Sequence, residues 1–188
     1  FLRPPVIRRR QDGPPQTTRR SLKLLLIRHA IAQVRFEFSR TGQCVYYRPL
    51  TDRGRARMEK GAAGLRTLVP EIDVLATSPL TRALQTAEIV AEAYDGLRLE
   101  EAESLGTGDG QAFLEWLGEC GPDQVVAAVG HEPHMSDWAA WMLTGAWHDF
   151  AVVKKGSAML LEFPGSLRPG TASLHWFLAP AQLRRLGR

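Results

Sequence analysis

Short apolar runs that alternate with longer amphipathic segments constrain the fold of this chain most strongly. Residues 22–27 and 124–129 are apolar runs of the length typical of buried strands. Residues 52–68, which follow the candidate N-cap Thr51, repeat apolar side chains at helical spacing on one face. Because strands separated by single helices pair side by side, we predict a three-layer α/β/α sandwich with a mostly parallel sheet.

The remaining segments extend the same alternation. The stretch up to Leu50 has no regular pattern, and residues 106–110 are predicted to form a loop. Ser78 and Pro79 suit the cap and the first turn of a helix that runs to about Tyr94. Further strands are predicted at residues 72–77, 97–99, 158–163 and 174–178, and further helices at about 112–118 and 133–143.

The positive charge of the chain is concentrated at its start. The 188 residues have a formal net charge of +4 and a sequence pI near 9.4. Residues 1–20 hold six arginines and one acid, so their net charge is +5 and that of the remainder is −1. We predict a flexible basic leader at 1–20, with a targeting or polyanion-binding arm as the alternative. A single domain is expected at 21–182, followed by a C-terminal tail at 183–188 and without a specific nucleic-acid partner.

Cysteine use and hydropathy indicate the compartment. Cys44 and Cys120 stand 76 positions apart and form no CxxC pair, so we predict free thiols in a reducing compartment and a cytoplasmic protein. The longest apolar runs, at 24–27 and 125–129, are far shorter than the roughly 20 residues that a membrane-spanning helix requires. We therefore expect a soluble protein with no membrane partner, as a monomer or weak oligomer.

Ionisable side chains follow three of the predicted strands directly. They are Arg28 and His29 after the first strand, Arg82 within the segment after the second, and His131 after the strand at 124–129. Taken singly, each such histidine is more often a hydrogen-bonded edge residue, and each such arginine is usually solvated. Because the carboxyl ends of parallel strands share one edge of the sheet, the combination predicts an anion pocket.

Phosphate is the anion that suits these side chains. The planar guanidinium of arginine matches two phosphate oxygens and stays charged at any working pH. A neutral histidine can act as a nucleophile, and a protonated one can stabilise an oxyanion. His131 and His134 do not have the spacing of a His-Glu-x-x-His zinc site, and no third ligand is evident. We therefore expect neither a metal nor another cofactor.

Four segments give a specific resemblance. They are LLIRHA at 25–30, LTDRG at 50–54, SPLTRALQTA at 78–87 and VGHEP at 129–133. Together they resemble the histidine phosphatase superfamily, and within it the short SixA-type phosphohistidine phosphatases. The later KKGSA at 154–158 resembles the ending of that branch. The likeness covers about residues 22–182 and implies the fold of the phosphoglycerate mutases.

The resemblance implies a role for each matching residue. His29 matches the nucleophile that carries the phosphoryl group as a transient phosphohistidine. Arg28, Arg82 and His131 match the phosphate pocket. Glu103 stands where the family usually has an acidic residue after its third strand and is the candidate general acid. A solvated acidic turn is the equally weighted alternative for Glu103.

These roles imply a metal-independent phosphatase whose substrate is a phosphorylated protein carrying phosphohistidine. One alternative is hydrolysis of small phosphate monoesters at the same site, and another is a phosphate-binding or interaction module without catalysis. Lys154 and Lys155 either border the pocket mouth and attract acidic substrates or belong to the general surface. The helical spacing of Trp138, Trp141 and Met142 is explained best by core packing.

Overall fold

The sheet has six strands. A computed structural model describes residues 21–188, so the predicted leader at 1–20 lies outside the described residues. The strands are β1 (Leu22–Arg28), β2 (Val74–Thr77), β3 (Leu99–Glu101), β4 (Val125–Gly130), β5 (Ala158–Phe163) and β6 (Ser173–Leu178). Their order across the sheet is β3-β2-β4-β1-β5-β6.

Five of the six strands run in the same direction. β1 pairs in parallel with β4, β4 with β2, and β2 with β3. β5 is antiparallel to β1, and β6 is antiparallel to β5, so only β5 runs against the others. The prediction of a mostly parallel sheet is confirmed, and one reversed strand makes the sheet mixed.

The described residues form seven α-helices, of which six lie between strands and one follows β6. The predicted helix at 52–68 has those bounds, and the Thr51 hydroxyl caps it by accepting a hydrogen bond from the amide of Gly54 at 3.0 Å. The helices are α1 (Arg35–Ser39), α2 (Asp52–Leu68), α3 (Thr81–Ala93), α4 (Ser104–Thr107), α5 (Gly110–Glu119), α6 (His134–Thr144) and α7 (Pro180–Leu186), with a 3-10 turn at Val45–Tyr47.

Some boundaries differ from the sequence-based ones. α3 begins at Thr81, later than expected, because Leu80 is still extended at φ −71° and ψ 130°. The predicted loop at 106–110 contains the end of α4 and the start of α5, which Asp109 caps through the amides of Gln111 and Ala112. The irregular stretch before Leu50 contains α1 and the 3-10 turn.

Two hydrophobic cores lie on opposite faces of the sheet. Along β1, Leu25 and Ile27 face the layer of α2 and α3, whereas Leu24 and Leu26 face the layer of α5 and α6. Trp138 on α6 is fully buried and stacks on the ring of Phe113 at 4.3 Å. The three-layer architecture is therefore confirmed, as is core packing for Trp138.

α7 crosses the predicted domain boundary after residue 182. Its Leu183 is buried against α2. Gly64 on α2 allows this close approach, because a Cβ at Gly64 would lie 2.0 Å from the carbonyl oxygen of Leu183. Residues 183–186 thus pack on the domain instead of forming a separate tail.

Two further findings concern the surface and the thiols. Cys44 is exposed, Cys120 is partly buried, and neither forms a disulfide. Across residues 21–188, no helix combines the length and the apolar character that crossing a membrane requires.

Candidate active site

The ends of β1, β2 and β4 lie level with one another. In the sheet register Arg28 faces Gly130, and Thr77 faces Val129. Backbone hydrogen bonds continue past the strands: the amide of His29 donates to Gly130 and that of Ser78 to Val129, both at 3.0 Å. The residues that follow the three strands therefore share one edge of the sheet, as predicted.

His29 is held in one tautomer. Its ring is buried, with 4% of the residue exposed, and Nδ1 lies 2.7 Å from the carbonyl oxygen of Ala30. A carbonyl oxygen only accepts hydrogen bonds, so Nδ1 carries the proton. In the neutral ring Nε2 therefore has a free lone pair and can act as a nucleophile.

His131 lies beside His29. The two ring centroids are 5.1 Å apart, and the Nε2 atom of His131 is 2.8 Å from the Ser78 hydroxyl oxygen. The Nδ1 atom of His131 is buried and has no hydrogen-bond partner among the described residues. Ser78, which directly follows β2, thus positions one ring nitrogen of His131, and the other nitrogen has no protein partner among the described residues.

Both histidines are neutral near pH 7 in this environment. Burial lowers the pKa of His29 to about 2, with further contributions from His131, Arg82 and Arg28. Burial also lowers the pKa of His131 to about 3, followed by the charges of Arg82, His134, Arg28 and Arg48. A bound phosphate would oppose both effects, because an anion stabilises the protonated ring.

Arg28 and Arg82 enter the pocket from different elements. Arg28 ends β1 and donates through Nη1 to the carbonyl of Val153, and Arg82 in α3 donates to the carbonyl of Val45 at 3.4 Å. The Nε groups of both are buried without a partner among the described residues. Burial and then the charges of Arg48 and Arg35 lower the pKa of Arg82 to about 10, which leaves it charged at pH 7.

Two further cations, Arg48 and Lys155, lie beside the pocket, and Arg48 was not predicted from the sequence. Arg48 is 9% exposed, and its Nη1 donates to the carbonyl of Gln33 at 2.6 Å. Arg48 lies in the stretch that has no periodic pattern, so no sequence signal marked it. Lys155 precedes Gly156, whose amide lies 3.1 Å from the carbonyl oxygens of Arg28 and His29, so it stands beside the end of β1. Burial lowers the pKa of Lys155, followed by the charges of Arg48, Arg28 and Arg82.

Among the described residues, Glu103 is not bonded to the side chains of this pocket. It is exposed, it precedes α4, and no hydrogen bond or ion pair within residues 21–188 joins it to the histidines or arginines described above. Its carboxylate lies near Tyr46, whose pKa is raised by desolvation and then by Glu101 and Glu103. The carboxylates of Glu101 and Glu103 thus lie near Tyr46, and within residues 21–188 neither is bonded to the histidines or arginines of the pocket.

The described residues contain no group of three or more histidine, cysteine or acidic side chains that could hold a metal ion. The positive charge of the pocket comes from its arginine and lysine side chains. Four of the five predicted site residues are brought together: Arg28, His29, Arg82 and His131.

Comparison with known proteins gives the family. The sequence model of the histidine phosphatase superfamily (branch 1) matches residues 24–109. An uncharacterised protein of Picosynechococcus sp. is 34% identical over 156 residues, which cover 81% of this chain and 88% of that protein. This chain belongs to the histidine phosphatase superfamily. In this histidine phosphatase the matched span includes Arg28, His29, Arg82 and Glu103. His131 lies outside that span, and the fold brings its ring next to His29.

Solved structures share the fold of this histidine phosphatase. The structure of the protein histidine phosphatase SixA complexed with tungstate has a TM-score of 0.71 and 21% identity, covering 86% of this chain and 99% of that one. A phosphoserine phosphatase of Entamoeba histolytica complexed with 3-phosphoglyceric acid has a TM-score of 0.61 and 18% identity, with coverage of 86% and 99%. The predicted phosphoglycerate mutase-like α/β fold is thereby confirmed.

Proposed function

We propose that this protein is a metal-independent phosphatase that removes the phosphoryl group from phosphohistidine on another protein. The observation that carries the proposal is the hydrogen bond from Nδ1 of His29 to the carbonyl of Ala30, which leaves Nε2 unprotonated on a ring that lies near Arg82 and Arg28. A nucleophile beside fixed cations is what phosphoryl transfer requires.

The reaction proceeds in two steps. The phosphohistidine ring first takes a proton from solvent on its unphosphorylated nitrogen. Nε2 of His29 then attacks phosphorus, the bond from phosphorus to the substrate's imidazole nitrogen breaks, and the imidazole leaves as a neutral ring. Water then attacks the phosphoryl group on His29, which releases phosphate and restores the free ring. Arg28 and Arg82 neutralise the equatorial oxygens of the phosphoryl group in both steps.

The leaving group favours phosphohistidine as the substrate. An imidazole leaves readily, since the pKa of its conjugate acid is near ~6.5. An alkoxide from a phosphate ester must instead be protonated by a carboxylic acid as it departs. Within residues 21–188 Glu103 is exposed and forms no hydrogen bond or ion pair with the histidines, and this supports a substrate whose leaving group needs no such acid. The fold shared with a protein histidine phosphatase agrees with this choice.

Hydrolysis of small phosphate monoesters is the second candidate. Glu101 and Glu103, which both act on the pKa of Tyr46, would have to supply the acid in that case. A phosphate-binding module without catalysis is disfavoured, because it would not require the unprotonated Nε2 of His29. A cytoplasmic location and a monomeric or weakly associated state remain predictions.

Turnover on matched substrates tests the proposal. A phosphohistidine peptide and a phosphoserine peptide of otherwise identical sequence are compared at equal concentration, with and without EDTA. We expect much faster hydrolysis of the phosphohistidine peptide and no effect of EDTA. His29→Ala should abolish turnover, and the exposed His148→Ala should preserve it. Activity that survives His29→Ala, or a metal requirement, would overturn the mechanism.

A further inference from the structure

A second group of positive side chains lines a cleft beside the phosphate pocket. We call it the α2/α7 cleft: it lies between α2, α7 and the turn at 154–156, and has a volume of about 150 Å³. Its cations are Arg57 on α2, Arg184 on α7, and Lys154 and Lys155 on the turn. None of the described residues that line it is acidic.

The cleft begins at the nucleophile's own loop. Ala30 and Ile31, which follow His29 directly, form part of its wall. The amide of Gly156 lies 3.1 Å from the carbonyl oxygens of both Arg28 and His29, so the lysine-bearing turn is fastened to the end of β1. The cleft therefore shares a wall with the loop that directly follows the nucleophile.

The close contact of α2 and α7 holds two arginines together. A Cβ at Gly187 would lie 2.2 Å from the carbonyl oxygen of Lys60, so the backbones touch where α7 ends. Arg53, burial and Arg184, in that order, lower the pKa of Arg57. None of these arginines has a carboxylate within 4 Å among residues 21–188. Like charges held close without a counter-ion are stabilised by an incoming anion.

The size and the floor of the cleft indicate what kind of anion enters. Its volume is below the roughly 300 Å³ at which sites for whole small molecules begin. Met58, with 2% of its surface exposed, and Pro180 give it an apolar wall beside the charges. These features suit one acidic side chain with its methylene groups.

We propose that the α2/α7 cleft binds an aspartate or glutamate side chain that flanks the phosphohistidine of the substrate protein. This inference rests on the proposed function and specifies its substrate: a phosphoprotein with an acidic residue close to the modified histidine. Lys155, which adjoins both sites, connects the cleft to the phosphate pocket.

Peptides that differ only beside the phosphohistidine test this inference. One has glutamate on both sides of the phosphohistidine and the other has glutamine, and the quantity measured is the ratio of their kcat/KM values. At low salt the wild-type protein should favour the glutamate peptide by about fivefold or more, as two partly exposed ion pairs can supply. The ratio should approach one in about 0.5 M salt, because salt screens exposed charges.

Variants of the cleft arginines test whether the cleft causes the preference for the glutamate peptide. Arg57→Gln combined with Arg184→Gln should bring the ratio close to one at low salt. Arg98→Gln combined with Arg168→Gln, which removes two arginines outside the cleft, is the matched control and should keep the wild-type ratio. The salt dependence of the wild-type ratio provides the second measurement if the double cleft variant does not fold.

The outcomes separate this inference from the proposed function. Equal turnover of the two peptides by the wild-type protein, or a ratio that the cleft variant leaves unchanged, would overturn the acidic-residue site while the phosphatase function stands. Turnover of a phosphate monoester without turnover of either peptide would overturn both. If the control variant also brings the kcat/KM ratio close to one, the preference arises from the overall charge of the protein. That result would overturn the acidic-residue site in the cleft.

Discussion

The hydroxyl of Thr86 accepts a hydrogen bond from the backbone amide of Ala30 at 3.0 Å, one residue after His29. The same hydroxyl donates to the carbonyl of Arg82 at 2.7 Å. Thr86 is fully buried, so one hydroxyl joins the helix that carries Arg82 to the loop that carries the nucleophile.

Replacing that hydroxyl should loosen the pocket. Thr86→Val keeps the shape of the side chain but leaves the amide of Ala30 buried without an acceptor, which costs about 1–3 kcal/mol in the free energy of unfolding. We expect kcat to fall as well, because His29 loses its support. Thr86→Ser keeps the hydroxyl and should retain most of both quantities. Urea unfolding and steady-state kinetics check this, and wild-type values for Thr86→Val would refute it.

Arg48 should contribute to phosphate binding. Arg48 directly follows the 3-10 turn at Val45–Tyr47, whose first carbonyl accepts a hydrogen bond from Arg82. The charge of Arg48 lowers the pKa values of His131, Arg82 and Lys155. Arg48→Met should reduce kcat/KM by about tenfold to a hundredfold, the range for one lost charge-assisted hydrogen bond. It should also raise the pKa of His131, measured by NMR titration. Arg40→Met, at an exposed position, should change neither quantity.

The buried histidines should make stability depend on pH below neutrality. Their pKa values are about 2 for His29 and about 3 for His131 in the folded chain, against about 6.5 in the unfolded chain. As pH falls below 6.5, the two histidines become protonated in the unfolded state but stay neutral in the folded state. The free energy of unfolding that is present above pH 6.5 therefore decreases. The slope can reach about 2.7 kcal/mol per pH unit for two protons.

Urea unfolding at pH 7, 6 and 5 measures this slope. His29→Ala removes one of the two groups and should halve the slope between pH 6 and pH 5. His148→Ala should leave it unchanged, because that residue is exposed. A wild-type stability that is constant over this range would contradict neutral, buried histidines.

The sheet and the long helices follow from local patterns in the sequence. The bounds of α2 and β5 match those predicted, because a cap or a run of apolar residues marks each of their ends. α4 has only four residues, and α7 is ordered by packing against Gly64 on α2. Such elements depend on tertiary contacts, which periodicity does not encode.

The pocket was predictable to the extent that its residues follow strands. Arg28, His29 and His131 stand where strands end, and Arg82 lies in the turn of helix that follows β2. Arg48 reaches the pocket from a stretch without periodicity, so only the folded chain reveals it. Glu103 fits a family position, yet its side chain is exposed and forms no hydrogen bond to the pocket residues within 21–188.

A comparison of Glu103 with Glu101 tests the general acid. If Glu103 protonates an ester leaving group, Glu103→Gln should lower kcat for a phosphoserine peptide by about a hundredfold or more, while turnover of a phosphohistidine peptide changes little. Glu101→Gln is the matched control, since both carboxylates raise the pKa of Tyr46. Equal effects of the two variants on both substrates would exclude a specific acid role for Glu103.

Replacing two glycines of α2 by alanine, one at a time, should change the stability of the protein in opposite directions. A Cβ at Gly54 would lie 2.0 Å from the carbonyl oxygen of Ile31, in the loop that follows the nucleophile, whereas a Cβ at Gly61 would meet nothing within 4 Å. Gly54→Ala must displace that loop, so we expect a loss of about 1–3 kcal/mol in stability and a lower kcat.

Gly61→Ala should instead stabilise the protein by about 0.5–1 kcal/mol, because alanine loses less backbone entropy than glycine within a helix. The two variants differ from the wild type by one methyl group each, on the same helix. Thermal unfolding with kinetics on each variant therefore isolates the contact between Gly54 and Ile31. A Gly54→Ala variant as stable and active as Gly61→Ala would show that the start of α2 does not position the nucleophile's loop.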